Sequence, residues 1–417
     1  MSDLLIDISR RKDYLWNTLA GVLNAAEVIV LSMVVTRFGR LSDAGILSLA
    51  FAVSNVLMAI GAFGGRMYHA SDVKKQFTYR MYLIHRLFST GLMAIVLLLF
   101  LCVSGYGPEK IYSVVIISFI YMIEVIENCI WGHYQLYNLL YVGARMFCTR
   151  WIAIISLFTA FMIISGDMIT SLIAGAIAGV VVFLFWIIIL FKTDSHQKVD
   201  NETEPNWFRD MTKQTFPLFL AGFSSLFINN IPKFAIDRYM NDEVQACYGF
   251  VAMPVFVIGL LNQFIYQPIV SQMARDFGDE EFGLFKHNVN KQMLEVAGIS
   301  AICVVGAGAI GIPVLSVIYN TDLGGYWKEL VILQIAGGFL ALAGYFNVIL
   351  TIMRKQGIIL TGYILSVIMG IGILTFAVKH AGTVGASVGY LIVMAVLFIF
   401  FFLGYLRELS QYIYREA

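Results

Sequence analysis

Runs of about 20 residues with few or no charges recur along this chain, and they constrain its fold more than any other feature. A helix must be roughly that long and that apolar to cross the hydrocarbon of a bilayer, where every backbone hydrogen bond has to close within the protein. We read twelve such spans, over 14–36, 45–65, 83–105, 111–131, 149–165, 168–191, 215–237, 246–267, 293–318, 329–351, 357–378 and 385–406. They take up most of the 417 residues and leave no stretch for a soluble domain. The charged fraction of 13% is about half that of soluble domains, where roughly 25% is usual. An all-α polytopic membrane protein is expected. The net charge of +1 gives no reason to expect nucleic acid as a partner.

The bias of lysine and arginine sets the expected orientation. With the N-terminus inside, 21 of the 28 basic residues fall in cytoplasmic loops or at cytoplasmic span ends, and 7 fall on the opposite side. Both termini are therefore expected in the cytoplasm. Residues 1–12 lack the form of a cleaved signal peptide, so the first span is expected to be retained. The polar run over 192–214, KTDSHQKVDNETEPNWFRDMTKQ, divides the chain near its middle. It reads as a linker between two six-helix halves, 1–200 and 201–417. A faint direct repeat supports the halves: at an offset of 201, Leu19-Ala20-Gly21 falls on Leu220-Ala221-Gly222, and Arg37-Phe38 falls on Arg238-Tyr239. Two parallel six-helix repeats in one orientation are the pattern of transporters that handle substrate between their halves.

Polar residues inside the spans are the candidate functional groups, because an ionisable side chain in a membrane helix is costly unless it faces protein or water. Span 1 places Asn17, Gly21, Asn24 and Glu27 on one helical face, with Glu27 near mid-membrane. Span 2 carries Ser48 and Asn55, with Arg66 just beyond it. Span 4 carries Tyr121, Glu124, Glu127, Asn128 and Trp131. Span 7 is the most polar: Ser225, Asn229, Asn230, Lys233, Asp237 and Arg238 surround Pro232, where the helix is expected to kink or loosen. Spans 8 and 10 add Asn262, Gln263, Gln334 and Asn347. Spans 1, 2, 4, 7, 8 and 10 are thus expected to line a wet cavity, with spans 5, 6, 11 and 12 toward lipid. Duller roles stay open. Asparagines can simply tie helices together at about 0.6 kcal/mol per bond. Arg37, Arg40 and Arg238 can snorkel to the interface. Glu124 and Glu127 can divide into one inward and one snorkelling group, and Arg66, Arg86 and Arg150 fit topology signals or a cytoplasmic gate equally.

Enzyme chemistry finds little footing. The six histidines fall in loops or at span ends without metal-ligand pairing, and no nucleophile–base arrangement or Walker-type loop is present. The five cysteines are scattered, as small core residues would be. No catalytic residue, bound metal or cofactor is expected.

Several stretches resemble the polysaccharide-unit (O-antigen type) flippases of the multidrug/oligosaccharidyl-lipid/polysaccharide exporter superfamily. These are KDYLWNTLAGVLNAAEVIVLSMVVTRFGRLSDAGILSLAFA at spans 1 and 2, TFPLFLAGFSSLFINNIPKFAIDRYMNDEVQACYGFVAMP at spans 7 and 8, and QPIVSQMARDFGDEEFGLFKHNVNKQ after span 8. The resemblance implies twelve transmembrane helices in two pseudo-symmetric six-helix bundles around a central cavity, working by alternating access in a bacterial cytoplasmic membrane. It implies a polyprenyl-diphosphate-linked oligosaccharide moved from the inner to the outer leaflet. Membrane lipid, glycan polymerase and other assembly proteins are the partners it suggests. In that reading Asn24, Arg37, Asn55, Arg66, Asn229, Asn230, Lys233 and Arg238 contact the head group. Glu27, Glu124 and Asp237 bind a coupling ion, H+ or Na+, or balance charge. One departure is plain: span 1 carries a mid-membrane acid and no mid-membrane arginine. A multidrug exporter of organic cations in the same superfamily is the alternative, with carboxylates expected to dominate its cavity. A membrane glycosyltransferase or polymerase fits less well.

Overall fold

The computed structural model describes residues 2–72, 76–137, 139–193 and 205–416. It is helical throughout those residues. Residues 194–204, nearly half of the expected linker over 192–214, lie outside them. The chain forms two compact units, residues 1–226 and 227–417, each described in turn.

The first unit contains α1 (Ser2–Phe38), α2 (Leu41–Ala62), the short α3 (Gly65–Ser71), α4 (Tyr79–Ser104), α5 (Pro108–Leu136), α6 (Leu140–Ser165) and α7 (Met168–Thr193). It also takes the first part of α8 (Trp207–Tyr239). The apolar runs supply the helices, and the turns between them have local causes. Gly105 and Gly166 end α4 and α6 at φ 67° and 65°, a conformation that only glycine adopts without strain. Pro108 opens α5 at a position where its missing N–H is not needed. The Thr78 hydroxyl accepts from the Met81 amide at 3.3 Å and caps α4. At the core sits α2, almost wholly buried and packed by α1, α4 and α5.

The end of α2 shows how a buried charge is used. Phe63 and Gly64 both turn left-handed, at φ 44° and 65°. The carbonyls they strand are taken up by α4. Arg86, 4% exposed, donates to Gly61 O at 3.0 Å and to Ala62 O, and the Ser89 hydroxyl donates to Gly61 O at 2.6 Å. Arg86 is therefore an internal helix cap, and neither a topology signal nor a gate. Early α8 packs on the same corner. Met211 joins Met81, Tyr82 and Cys129, and Phe219 stacks on Phe63 with ring centres 4.4 Å apart.

The second unit contains the rest of α8, then α9 (Asp242–Ala252), α10 (Pro254–Gly278), α11 (Phe282–Gly306), α12 (Ile312–Tyr319), α13 (Trp327–Ile352) and α14 (Gln356–Glu416). Asn241 caps α9 by accepting from the Val244 amide at 2.9 Å. α11 reaches α12 through a π-helical turn, Ala307–Gly311, just ahead of Pro313. Such a turn holds one extra residue. α14 is two helices joined at Gly382, whose φ of 57° and ψ of −135° lie outside the helical region. Its centre is an aromatic group in which Phe346 meets Phe398, Phe402, Tyr345 and Tyr405. The Tyr345 hydroxyl donates to Val289 O at 3.1 Å.

Nine stretches among the described residues are long and apolar enough to cross a membrane, and one of them, Gln356–Tyr412, contains the Gly382 bend. That stretch supplies two crossings. α8 and the α9–α10 pair complete six membrane-length segments in the second half, matching α1, α2, α4, α5, α6 and α7 in the first. α8 continues through Pro232 as one helix, Trp207–Tyr239. One expectation changes: α6 begins at Leu140, nine residues before the expected start of span 5, so Arg150 lies well inside a helix. The boundary between the two compact units falls at 226/227, inside α8.

Candidate functional site

α5 gathers the chemistry of the first unit. Tyr121, Glu124, Glu127, Asn128 and Trp131 recur at intervals of three and four, so they share one face of the helix. Glu27 approaches that face from α1, Arg150 and Trp151 from α6, and Arg66 from α3. The Arg150 side chain is 0% exposed. Its Nε donates to Glu127 Oε2 at 2.7 Å and its Nη2 donates to Glu124 Oε2 at 3.0 Å. Trp151 Nε1 donates to the same Glu124 oxygen at 3.0 Å. The Tyr121 hydroxyl donates to Glu27 Oε1 at 3.1 Å. Glu27, Glu124 and Glu127 are 2%, 4% and 1% exposed. Three atoms of this group are buried without a protein partner: Glu27 Oε2, Glu127 Oε1 and Arg150 Nη1.

Charge counting shows what this arrangement demands. Three carboxyl groups face one guanidinium, and uncompensated charge away from water costs several kcal/mol per ion. The cluster therefore has to take up positive charge from elsewhere. Arg66 stands at its edge. It donates to Asn128 Oδ1 at 3.2 Å and stacks on the Trp131 ring at 3.8 Å. Burial pulls its pKa down to about 10 against the attraction of Glu124. Beyond Arg66, His69 stacks on Tyr82 with ring centres 3.9 Å apart, and burial together with nearby His133 and Arg86 holds it down at about 3. That imidazole is neutral.

In the second unit the polar groups surround a small cavity of about 30 Å³ lined by Asn229, Lys233, Tyr248, Leu333 and Tyr390 among others. The Tyr390 hydroxyl donates to Asn229 Oδ1 at 2.9 Å. Lys233 is partly buried and forms no ion pair among the described residues. The Tyr248 hydroxyl is buried without a hydrogen-bond partner. One turn earlier on α9, both amide atoms of Gln245 are buried and unpartnered. Glu329, 4% exposed on α13, accepts from the Thr383 hydroxyl at 2.7 Å through one oxygen and leaves the other unpartnered.

Of the residues expected at the site, Glu27, Glu124 and Arg66 are brought together in the first unit, and Asn229 and Lys233 in the second. Asn24 is exposed on α1, Arg37 is exposed in its last turn, and Asn55 is partly buried on α2. Asn230 is buried and Asp237 partly so, while Arg238 is exposed with its guanidinium 5.9 Å from the Tyr239 ring. The sequence reading missed Arg150 as a site residue and took Glu127 for a candidate snorkelling group. The available signal was depth: the two acids end span 4 and the arginine opens span 5, at matching heights. Glu329, Gln245 and Tyr390 gave no signal, since each sits in the first turns of an apolar helix.

No protein-family model and no curated protein matches the sequence. Solved structures do. An inward-facing multidrug resistance MATE family transporter of the MOP superfamily superposes with a TM-score of 0.74, at 15% identity, over 95% of this chain and 96% of that one. The chain has the MATE fold. An outward-facing multidrug resistance MATE transporter gives a TM-score of 0.67 at 14% identity, over 97% and 96% of the two chains. A MOP superfamily transporter from Pyrococcus furiosus gives 0.63 at 15% identity over the same shares, and is described as having a binding pocket of reverse polarity that suggests a different function. The MATE fold carries the twelve helices in two bundles that the sequence led us to expect.

Proposed function

We propose that this chain is a MATE-fold secondary transporter that carries a lipid-linked anion, a polyprenyl-diphosphate oligosaccharide, to the outer leaflet of a bacterial cytoplasmic membrane by alternating access. The observation that carries the reading is Lys233, a cation within an apolar span that forms no ion pair among the described residues, lining a cavity beside Asn229, Tyr248 and Tyr390. A diphosphate needs a cation, and a glycan needs amides and hydroxyls. The apolar tail can stay in lipid while the head group crosses. The acidic cluster of the first unit supplies the place for a coupling proton or sodium ion. Both termini lie in the cytoplasm in this reading, on the bias of basic residues.

Export of organic cations is the second reading, and two observations favour it. Two of the similar solved structures are described as multidrug resistance transporters, and in the buried cluster of the first unit Glu27, Glu124 and Glu127 gather around the single guanidinium of Arg150. The Pyrococcus furiosus protein keeps the anion reading in play, because its pocket is described as reversed in polarity.

Reconstitution in liposomes separates the two. Protein incorporated with a fluorescent polyprenyl-diphosphate oligosaccharide is expected to expose it on the far leaflet. Lys233→Ala is expected to abolish that transfer at normal protein levels, and Lys379→Ala, at an exposed position, is expected to leave it unchanged. Movement of cationic dyes with no transfer of the lipid, or equal loss in the two variants, overturns the anion reading.

A further inference from the structure

We infer that the first unit holds a site for the phosphate of an anionic phospholipid, formed by Lys12 and Arg145 on an aromatic frame in the leaflet nearest the N-terminus. The site stands apart from the buried acidic cluster and from the Lys233 cavity. Lys12 and Trp16 lie one turn apart on α1, and Tyr141 and Arg145 lie one turn apart on α6. The two pairs match crosswise. Lys12 Nζ sits 5.9 Å from the centre of the Tyr141 ring, and Arg145 Cζ sits 5.9 Å from that of Trp16. Trp186, near the end of α7, also holds Arg145, at 5.6 Å. Hydrogen bonds fix this frame. Trp186 Nε1 donates to the Thr149 hydroxyl at 2.8 Å, and that hydroxyl donates to Arg145 O at 2.9 Å. The Tyr141 amide donates to Asp13 Oδ1 at 2.7 Å, which ties the start of α6 to α1. A tryptophan at a membrane interface usually turns its N–H toward water and head groups. Trp186 bonds within the protein instead, and its ring is left as a platform.

What the frame presents is positive charge. Lys12 and Arg145 are exposed and form no ion pair among the described residues. Asp13, beside Lys12 in the chain, has one oxygen committed to the Tyr141 amide. The two cations stand one helical turn apart along the axis, about 5.4 Å. At that spacing a guanidinium fork and an ammonium reach different oxygens of one phosphate. The ring contacts hold both side chains in place before a ligand arrives, which lowers the ordering cost of binding. The surroundings select a lipid over a free phosphate. Next to the two tryptophans in the chain, Leu15 and Phe185 are exposed, and Leu19 and Leu184 continue that apolar surface toward mid-membrane. Acyl chains below a bound head group lie along it. In the proposed orientation this end is cytoplasmic, the side on which basic pockets between membrane helices take anionic head groups.

The test needs no transport. Full-length protein in detergent is titrated with lipid and followed by native mass spectrometry, which counts bound lipids one at a time. The first phosphatidylglycerol should bind about tenfold more tightly than phosphatidylcholine. Arg145→Gln should weaken that step about tenfold, and the Lys12→Gln/Arg145→Gln pair about fiftyfold. Arg145→Lys, which keeps the charge and loses the planar fork, should fall between wild type and Arg145→Gln. Lys379→Gln, at an exposed position elsewhere, should bind as the wild type does. Both side chains of the site are exposed, so the variants keep the fold. Equal affinity for the two lipids, or an affinity that the double variant leaves unchanged, overturns the inference. Displacement of the phospholipid by an equal amount of inorganic phosphate overturns it in favour of a free anion. Displacement by an equal amount of polyprenyl diphosphate overturns it in favour of a loading point for the transported lipid. A failed flipping assay leaves a phosphatidylglycerol result standing, and the absence of lipid binding here leaves the Lys233 reading standing.

Discussion

Removing Arg150 tests the architecture of the first unit most directly. Arg150→Ala deletes a guanidinium that is 0% exposed and touches two carboxylates at 2.7 and 3.0 Å. Each charge-assisted bond is worth about 1.5–3 kcal/mol. Breaking one side of a buried ionic group typically costs about 3–5 kcal/mol, because the partner charges are left stranded. The two estimates agree, and we expect a loss of about 4 kcal/mol, read as a large drop in thermal unfolding temperature in detergent. A triple variant sharpens the point. Glu124→Gln, Glu127→Gln and Arg150→Met together keep side-chain volume and remove every stranded charge, so more than half of the lost stability should return. Trp151 then still has an amide oxygen within reach. A single variant within about 1 kcal/mol of wild type, or a triple variant no more stable than the single one, refutes the reasoning.

Other perturbations are local. Gly382→Ala forces a side chain onto φ 57°, ψ −135°, which should cost about 1–3 kcal/mol and lower the unfolding temperature while leaving the α13 contacts formed. Gly143→Ala would place a Cβ 2.2 Å from Trp131 Cγ. The indole must move and carry the stacked Arg66 with it, at a cost of about 1–3 kcal/mol, visible as altered tryptophan fluorescence. His69 has a folded value of about 3 against an ordinary 6.5, so the unfolded chain binds more protons between those values. Its stability contribution is complete above 6.5 and falls as pH drops, by at most about 1.4 kcal/mol per unit. His69→Phe keeps the stack on Tyr82 and should flatten the fall in melting temperature between pH 6.5 and 5.

The helices were legible because hydrocarbon leaves the chain few choices: an apolar run of span length has to be a helix. Their ends were less so. α6 starts nine residues before the apolar run of span 5, since Arg145 breaks the hydropathy signal without breaking the helix. Glu27 and Lys233 stood out as single charges in apolar surroundings. Arg150 did not, because a basic residue at a span end normally reports topology and only its pairing with α5 shows otherwise. The second unit's Gln245 and Tyr390 were beyond sequence reasoning. Their importance comes from which helix each one faces, and periodicity within one helix carries no information about its neighbour.

The π-helical turn over Ala307–Gly311 sets the phase of everything after it in that span. Each α-helical residue rotates the chain by roughly 100°, so one residue more or less in this turn swings α12 by about that angle. Tyr319, 1% exposed, stacks on Phe250 at 4.0 Å only in the present phase. A chain lacking that residue would keep its length across the membrane and its hydropathy, yet turn Leu315 and Tyr319 out of the core. Alignments to other MATE-fold chains therefore need freedom to place a one-residue gap inside this helix, where gap penalties usually forbid one.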